Sequence, residues 1–394
     1  MGVAMKELTR DLLSVGVAEL IDKTSLAKRL ASGKKLIVKF GVDPTKPDLH
    51  FGHALNLHKL RQFQELGHET ILLIGDFTTK IGDPSGRNSA RPILTDREIK
   101  SNLKTYIEQA KLIIDPKKTK IRFNSEWLSK YSYADFIQVA MQISVQTLLE
   151  REDFSARMTG GHSLALHELF YPVTQAIDSV VMKADVEIGG WDQRLNMLMG
   201  RELQKKSGQL PQEVVAMKAL IGLDGEQKMS KSLGNYVGLA ESPDQMFGKL
   251  MSIPDNLTDQ YADLVAFLDP NEIKTLPEHP RDRKQEVAKK IIERYHGVSA
   301  ANQAAESFKE TFQNRRVTDN IAAEQSYSEG KVALIQAVVD AVGCSRSHAV
   351  RLVEQGAIEL DGERQTSPTE QIELSKQRLL KVGKHTFRRL SRRR

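Results

Sequence analysis

The sequence is poor in cysteine and in long apolar runs, and each shortage excludes a class of protein. Cys344 is the single cysteine in 394 residues, which excludes an internal disulfide framework and a zinc site built from several cysteines. No apolar run approaches the roughly 18 residues of a membrane span. The opening segment MGVAMKELTRDLL has acidic residues where a signal peptide would be apolar. We therefore expect a cytoplasmic protein that does not contact a membrane.

Internal repeats and low-complexity tracts are also lacking, and the composition is that of a globular protein, with 40% hydrophobic and 27% charged residues. At about 150 residues per domain, the length predicts two or three domains. The net charge of +6 is unevenly placed, because residues 376–394 hold nine lysines and arginines and no acid. On charge alone, this run fits a solvated, frayed tail and a nucleic-acid contact equally well.

The first half of the chain alternates between strand and helix patterns. Residues 34–45 and 68–86 are predicted as buried parallel strands, and the apolar spacing between them predicts a helix that stops at Gly67. Further helices are expected over about 96–114 and 134–150, and another strand over 180–190. This alternation predicts a doubly wound α/β fold, whose ligands bind at the carboxyl ends of the parallel strands.

The second half changes character. From Asp244 onward the pattern is helical without strands, and it lapses over 318–330 as expected of a linker. A third unit follows, with two helices and a hairpin whose turn is Asp361–Gly362. The stretch 133–150 is apolar around most of its circumference, which predicts either internal burial or a subunit interface.

Two histidines three residues apart, His50 and His53, lie where a helix is predicted to begin. Zinc would need a third protein ligand that no clustered motif supplies, and two core imidazoles would each need a polar partner. The remaining interpretation is an anion site at a helix N-terminus, with both imidazoles as donors. Gly52 would let a flat ring lie against the backbone, so this segment predicts a nucleotide site.

The segment EQKMSKSLGN (226–235) carries two lysines around a Met-Ser step. Such a loop is usually solvated surface. Its functional interpretation is a mobile clamp, whose ammonium groups neutralise the charge that develops on a triphosphate during attack at the α-phosphorus.

The order HFGH followed by KMSKS resembles the paired signatures of class I aminoacyl-tRNA synthetases. GVDPT, IGDPSGR, YPVTQAIDS and IGGWDQ are similar to the tyrosyl-tRNA synthetase branch, and SRSHAVRLVEQGAIELDG resembles the S-four-type RNA-binding domain of its bacterial members. The resemblance implies a Rossmann-like catalytic domain over 1–225, with dimer-interface helices inserted at about 125–160. It implies a lysine loop and an α-helical anticodon-binding domain over 226–320, and a small α+β RNA-binding domain over 331–394.

The same resemblance implies two-step chemistry, in which tyrosine and ATP form tyrosyl-adenylate and the tyrosyl group then passes to tRNA(Tyr). ATP would arrive with Mg²⁺, without a protein metal cage and without a tightly bound cofactor. The implied catalytic residues are His50, His53, Arg87, Lys228, Lys231 and Ser232. The implied ATP ligands are Asp43, Thr45, His50, Gly52, His53, Asp192 and Lys231.

For the amino acid, Tyr171, Gln175 and Asp178 are spaced to share one face of a largely apolar helix. The resemblance implies that Tyr171, Gln175 and Asp83 bind the substrate ammonium. It further implies that Asp178 accepts the phenolic hydroxyl and that Gln193 faces the carboxylate.

Two positions depart from the family pattern. Lys39 occupies the position at which well-known members present a tyrosine to the substrate hydroxyl, and Trp191 replaces a usually small residue. Lys39 is still placed in the tyrosine site, and the indole of Trp191 either narrows the pocket or packs behind it.

Other functions are compatible with parts of the sequence. Tryptophanyl-tRNA synthetase shares the architecture but normally lacks the last unit, and a small nucleotidyltransferase explains neither that unit nor the lysine loop. A non-catalytic RNA-binding paralogue would typically have lost the histidines and lysines that are present here. The family also implies a homodimer, with 136–149 as the expected interface.

Overall fold

A computed structural model describes residues 12–85, 94–149, 151–313, 323–383 and 386–392. The described residues form two compact units. One unit lies within 1–241 and 253–287, and the other lies within 242–252 and 288–394.

The first unit is built on a six-stranded sheet. In chain order its strands are β1 (Val17–Leu20), β2 (Ile37–Val42), β3 (Glu69–Ile74), β4 (Thr119–Phe123), β5 (Val186–Gly190) and β6 (Glu213–Met217). Their spatial order is β1-β6-β5-β2-β3-β4; β2 to β6 run parallel, and β1 pairs antiparallel with β6. The predicted parallel pairing of the first two apolar runs is therefore confirmed.

Helices surround this sheet. They are α1 (Lys23–Ala31), α2 (Phe51–Glu65), α3 (Thr78–Ile81), α4 (Asp96–Ala110), α5 (Ser125–Leu128), α6 (Tyr133–Ala140), α7 (Val145–Leu149), α8 (Glu152–Thr159), α9 (Leu166–Met182) and α10 (Arg194–Lys206). The 3₁₀ turns Trp191–Gln193 and Asp255–Leu257 and the helices Thr258–Leu264 and Pro270–Thr275 also belong to this unit. The helix Pro280–His296 begins in it.

The sheet has a topological switch between β2 and β5. The chain proceeds from β2 outward through β3 to β4, and then returns to continue through β5 to β6 on the other side. At such a switch the loops that follow the two central strands diverge and leave a crevice. The loops after Val42 and Gly190 therefore define where a ligand is expected.

Some boundaries in this unit were predicted wrongly. The run 68–86 is a strand only to Ile74 and continues as helix α3. The helix expected over 134–150 is broken after Ala140, because the Ser144 hydroxyl accepts the N–H of Gln146 and begins a new helix. The strand expected over 180–190 starts at Val186, since the preceding apolar residues complete α9 and bury Met182. Lys183 then ends that helix with φ +50°.

The apolar stretch at 133–149 is largely exposed rather than buried. Tyr133 is 83% exposed and Met141 is 75% exposed, and Val145 also faces solvent. Of the two predicted alternatives, internal burial is therefore wrong for these side chains.

The second unit contains helices and then a small α+β region. The helices are Pro243–Ser252, the end of Pro280–His296, Val298–Gln313, Leu334–Val342 and Arg346–Glu354. The strands are β7 (Ala323–Tyr327), β8 (Lys331–Ala333), β9 (Ile358–Leu360), β10 (Glu363–Gln365), β11 (Gln371–Glu373), β12 (Arg378–Val382) and β13 (Thr386–Arg392). They form one sheet in the order β10-β9-β12-β13-β7 and a separate pair, β11-β8.

The hairpin predicted at Asp361–Gly362 is present, with positive φ at both turn residues. One other expectation for this region is wrong, and one of two open alternatives is excluded. The predicted linker contains β7, which pairs with β13 at the edge of the sheet. No residue of β7 is buried, so its sequence lacks the apolar alternation by which a strand is predicted. The described part of the basic run is also not a frayed tail, because β12 and β13 pair antiparallel there.

Candidate active site

A cavity of about 1040 Å³ opens at the carboxyl ends of the central parallel strands. It collects nearly all the residues that the sequence singled out: Lys39, Asp43, Thr45, His50, Gly52, His53, Asp83, Tyr171, Gln175, Asp178, Asp192, Gln193, Lys228, Lys231 and Ser232. Arg87 lies outside the described residues. Residues from distant parts of the chain thus share one cleft, in which phosphates and an amino acid could lie end to end.

The two histidines build the start of helix α2. His50 is the N-cap residue, and its Nδ1 accepts the backbone N–H of Gly52 at 3.1 Å. Nδ1 of His53 accepts the backbone N–H of His50 at 3.3 Å, which completes a reciprocal capping box. A Cβ on Gly52 would come within 3.0 Å of the His50 ring. The ring that lies against this glycine is therefore that of His50.

This capping fixes the protonation of both rings. An imidazole that accepts a hydrogen bond at Nδ1 carries its proton on Nε2 in the neutral form. Burial, with the charges of Lys231 and Lys228, lowers the pKa of His50 to about 3. Burial, followed by the neighbouring His50, Lys231 and Lys228, lowers the pKa of His53 well below its usual value. Both rings therefore act near neutral pH as uncharged Nε2–H donors, and the lysines supply the positive charge.

The lysine loop contacts the opposite wall of the cavity. Nζ of Lys228 lies 2.6 Å from a carboxylate oxygen of Asp192. Nζ of Lys231 lies 4.6 Å from the ring centre of Tyr106 and donates to its hydroxyl. The cation–π contact and the ion pair hold both ammonium groups beside the histidines.

Two buried side chains anchor this loop. Met229 is 1% exposed and its backbone N–H donates to Leu220 at 2.8 Å. The Asn235 amide accepts the Ser230 N–H at 2.8 Å and donates to Asp224 at 2.5 Å. The apolar position between the lysines is thus an anchor, while Lys228 is about half exposed.

At the other end of the cavity, Asp178 is buried on helix α9. Its two oxygens accept from the Trp127 indole N–H at 2.8 Å and from the Asn124 amide at 3.3 Å. Burial raises the pKa of Asp178 to about 7, although Lys39 and both hydrogen bonds act in the opposite direction. A desolvated carboxylate of this kind strongly favours a hydroxyl donor over a hydrocarbon.

Lys39 forms a buried ion pair beside Asp178. Its ammonium lies 2.8 Å from Glu187, and the two side chains are 1% and 3% exposed. The Glu187 carboxylate also accepts from Gln175 at 3.0 Å and from Ser179 at 3.3 Å. Lys39 is therefore part of the pocket wall, bound to another wall residue.

Two further carboxylates lie between the two ends, and each accepts from polar side chains. The Tyr171 hydroxyl donates to Asp43 at 3.0 Å, and Thr78 donates to the other oxygen of Asp43 at 2.9 Å. The Gln193 amide donates to Asp83 at 2.7 Å. The Asp83 carboxylate is an acceptor of the kind that a substrate ammonium requires.

Trp191 does not narrow the cavity. Its indole is 49% exposed, and the Arg194 guanidinium lies 5.6 Å from the ring centre. The neighbouring Gly190 and Asp192 line the cavity while the indole faces outward.

Sequence reasoning missed several residues around this site. They are Asn56, Thr78, Tyr106, Asn124, Trp127, Arg151, Glu187 and Asn196. A signal existed for two of them, because Asn124 directly follows a strand and Glu187 is a charge inside an apolar one. Asn56 also lines the cavity, and its buried Oδ1 has no hydrogen-bond partner among the described residues.

Among the described residues, no three His, Cys, Asp or Glu side chains cluster in a way that could hold a metal ion. In the same part of the chain, no helix has both the length and the apolar character needed to cross a bilayer.

Comparisons with known proteins find relatives that match nearly the whole chain. The tyrosine–tRNA ligase of Moorella thermoacetica is 45% identical over 399 residues, covering 98% of this chain and 96% of that protein. The tyrosine–tRNA ligase of Thermotoga maritima is 44% identical over 389 residues, covering 96% of each chain.

Solved structures share the fold at lower identity. The mitochondrial tyrosyl-tRNA synthetase of Aspergillus nidulans, truncated at its C-terminus, has a TM-score of 0.64 at 20% identity, covering 78% of this chain and 94% of that one. The Archaeoglobus fulgidus tyrosyl-tRNA synthetase, complexed with L-tyrosine, has a TM-score of 0.61 at 22% identity, covering 76% and 99%. The model for tRNA synthetases class I (W and Y) matches residues 31–313, and the chain belongs to that family.

Proposed function

We propose that this chain is a tyrosine–tRNA ligase, which activates L-tyrosine with ATP and transfers the tyrosyl group to the terminal adenosine of tRNA(Tyr). The observation that carries the proposal is that one cavity has a phosphate-binding end and an amino-acid-binding end. One end holds the capped histidines and the lysine loop, and the other holds Asp178 on its indole and amide donors. The full-length relatives favour tyrosine over tryptophan, which the family model alone leaves open.

In the first step the tyrosine carboxylate oxygen attacks the α-phosphorus of ATP, and the bond to the bridging oxygen of pyrophosphate breaks. The neutral Nε2–H groups of His50 and His53 donate to phosphate oxygens. Lys228, Lys231 and Ser232 neutralise the charge on the departing pyrophosphate, and Arg87 assists on the phosphate side. No side chain needs to take a proton, so the catalysis consists of positioning and charge stabilisation. Magnesium arrives with ATP as part of the substrate.

The remaining residues hold the substrates. Asp43, Thr45, Gly52 and Asp192 bind the nucleotide, while Asp83, Tyr171 and Gln175 bind the tyrosine ammonium. Gln193 faces the tyrosine carboxylate, and Asp178 accepts the phenolic O–H. The pair of Lys39 and Glu187 closes the pocket behind the ring.

In the second step a ribose hydroxyl of the terminal adenosine attacks the tyrosyl carbonyl, and AMP leaves. Of the three predicted regions, 1–225 carries catalysis together with the lysine loop that opens 226–320. The rest of 226–320 binds the anticodon, and 331–394 makes further contact with RNA. The exposed apolar surface within 136–149 forms the interface of a homodimer, and the enzyme acts in the cytoplasm.

The decisive experiment is amino-acid-dependent exchange of pyrophosphate into ATP, run in parallel with tyrosine, tryptophan and phenylalanine. Exchange with tyrosine alone is expected, and Lys231→Ala should lose most of it while Lys183→Ala, an exposed helix-end control, should not. Exchange with tryptophan would instead establish the rival specificity. Absence of exchange with every amino acid, in a protein that still binds tRNA, would favour a non-catalytic RNA-binding role.

A further inference from the structure

A buried arginine outside the predicted site contacts the shell of side chains around the amino-acid end of the cavity. Arg151 follows the exposed helices α6 and α7 and is 3% exposed. Its guanidinium donates to the Ser85 hydroxyl at 2.9 Å and to the Asn196 side-chain oxygen, and it lies 4.5 Å from the Phe154 ring centre. We infer that Arg151 is a positioning residue for the tyrosine site, acting through Asn196 and Ser85.

The hydrogen bond from Arg151 to Asn196 sets the orientation of a network of three side-chain amides. A guanidinium donates hydrogen bonds and accepts none, so Asn196 must turn its oxygen toward Arg151. The Asn196 NH₂ group then donates to Gln175 at 3.1 Å and to Gln193 at 2.9 Å. Each glutamine therefore presents its own oxygen to Asn196 and its NH₂ group elsewhere.

Carboxylates terminate the network at its far side. Gln175 donates to Glu187 at 3.0 Å, and Gln193 donates to Asp83 at 2.7 Å. Since an ionised carboxylate is a pure acceptor and the guanidinium is a pure donor, only one orientation of the three amides satisfies every bond. Removal of Arg151 would leave the Asn196 amide free to rotate by 180°, with its NH₂ group directed away from the glutamines.

The hydrogen bond from Arg151 to Ser85 contacts the turn that carries Asp83. Ser85 is buried, and its backbone N–H donates to Asp83 at 3.0 Å. Arg151 also bonds to the Ser85 side chain. Its guanidinium therefore fixes both groups that contact Asp83, the turn at Ser85 and, through Asn196, the amide of Gln193. The histidines and the lysine loop are not part of this network, which predicts a selective effect on the amino acid.

The test rests on the proposed function and uses pyrophosphate exchange with the full-length protein. Arg151→Ala should raise KM for tyrosine about 10- to 100-fold, the range expected when charge-assisted hydrogen bonds are lost. KM for ATP should stay within about twofold, because the phosphate end keeps its contacts. Arg61→Ala, which removes an exposed helical charge paired with Glu65, is the matched control and should change neither constant.

Chemical rescue separates positioning from folding. Guanidinium at non-denaturing concentrations should lower the tyrosine KM of Arg151→Ala toward the wild-type value, while ammonium, a donor without the planar fork, should not. Asn196→Asp should reproduce the tyrosine defect and show no rescue. An equal rise in both KM values, or an unchanged tyrosine KM, would overturn the inference. Wild-type protein without tyrosine-dependent exchange would contradict the proposed function itself, and the two failures are therefore distinguishable.

Discussion

Lys39 and Glu187 are register partners on the neighbouring strands β2 and β5, and their charged groups meet at 2.8 Å. Each side chain is almost completely removed from water. The pair lies at the topological switch of the sheet and forms part of the cavity wall beside Asp178. Lys39, the residue that departs from the family pattern in the sequence, is thus one half of a buried charge pair.

Breaking this pair should destabilise the protein. Lys39→Met leaves the Glu187 carboxylate buried without its cation, which costs about 3–5 kcal/mol of unfolding free energy. The double variant Lys39→Met with Glu187→Gln should recover most of that loss, because no unpaired charge remains. Urea unfolding of the three proteins measures both values. Equal stability of the single and double variants would show that the ion pair is not the cause.

The second prediction concerns the pH dependence of tyrosine activation. Asp178 accepts the phenolic O–H most strongly when it is ionised, and burial raises its pKa to about 7. We expect kcat/KM for tyrosine to rise about tenfold per pH unit below that value and to level off above it. Trp127→Phe removes a donor to the carboxylate, so it should move this limb to higher pH. If kcat/KM falls at the same pH in both proteins, a group other than Asp178 causes the fall.

The raised pKa of Asp178 also makes the folding stability of the protein fall as the pH rises. The unfolded chain loses the Asp178 proton near pH 4, whereas the folded protein retains it up to about pH 7. Its contribution to stability is therefore fully present below about pH 4 and is lost as the pH rises through about 7.

The third prediction separates the two roles of His50. In His50→Asn the short side-chain oxygen can replace Nδ1 as the helix cap, but the Nε2–H donor is lost. We expect a free energy of unfolding within about 0.5 kcal/mol of wild type, whereas His50→Ala should lose about 1 kcal/mol. Both variants should lower kcat of exchange about 100- to 1000-fold, as for other lost transition-state donors. Retention of activity in either variant would remove His50 from the phosphate site.

The fourth prediction concerns the apolar surface of α6 and α7. Met141→Glu should dissociate the proposed homodimer, because a charge would be buried at the interface. Leu112→Glu, at an exposed apolar position outside this surface, is the matched control. Ile143, also on the predicted interface, packs against the core of its own unit, so its replacement would test folding as well. Sedimentation that shows an unchanged dimer for Met141→Glu would place the interface elsewhere.

Most of the candidate site could be predicted because its residues belong to contiguous motifs. HFGH and KMSKS each keep their functional spacing within one segment, and Tyr171, Gln175 and Asp178 share one helix face. Residues that affect the site only by contacting its other side chains were not predicted from the sequence. Trp127 and Arg151 stand in segments with no local signal, since the bonds from Trp127 to Asp178 and from Arg151 to Asn196 span 45 or more residues of sequence. Asn196 was missed although it also bonds to the nearby Gln193.

Local sequence likewise determined the α/β alternation, the helix stop at Gly67 and the hairpin turn at Asp361–Gly362, because turn chemistry and apolar period act over a few residues. Strand order was decided by tertiary packing alone. The pairing of β2 with β5 brings Lys39 to Glu187 across 148 positions of sequence, and the edge position of β7 hides that strand from any apolar pattern. Periodicity shows which face of an element is buried, but the neighbour that covers it is selected by the packing of the whole sheet.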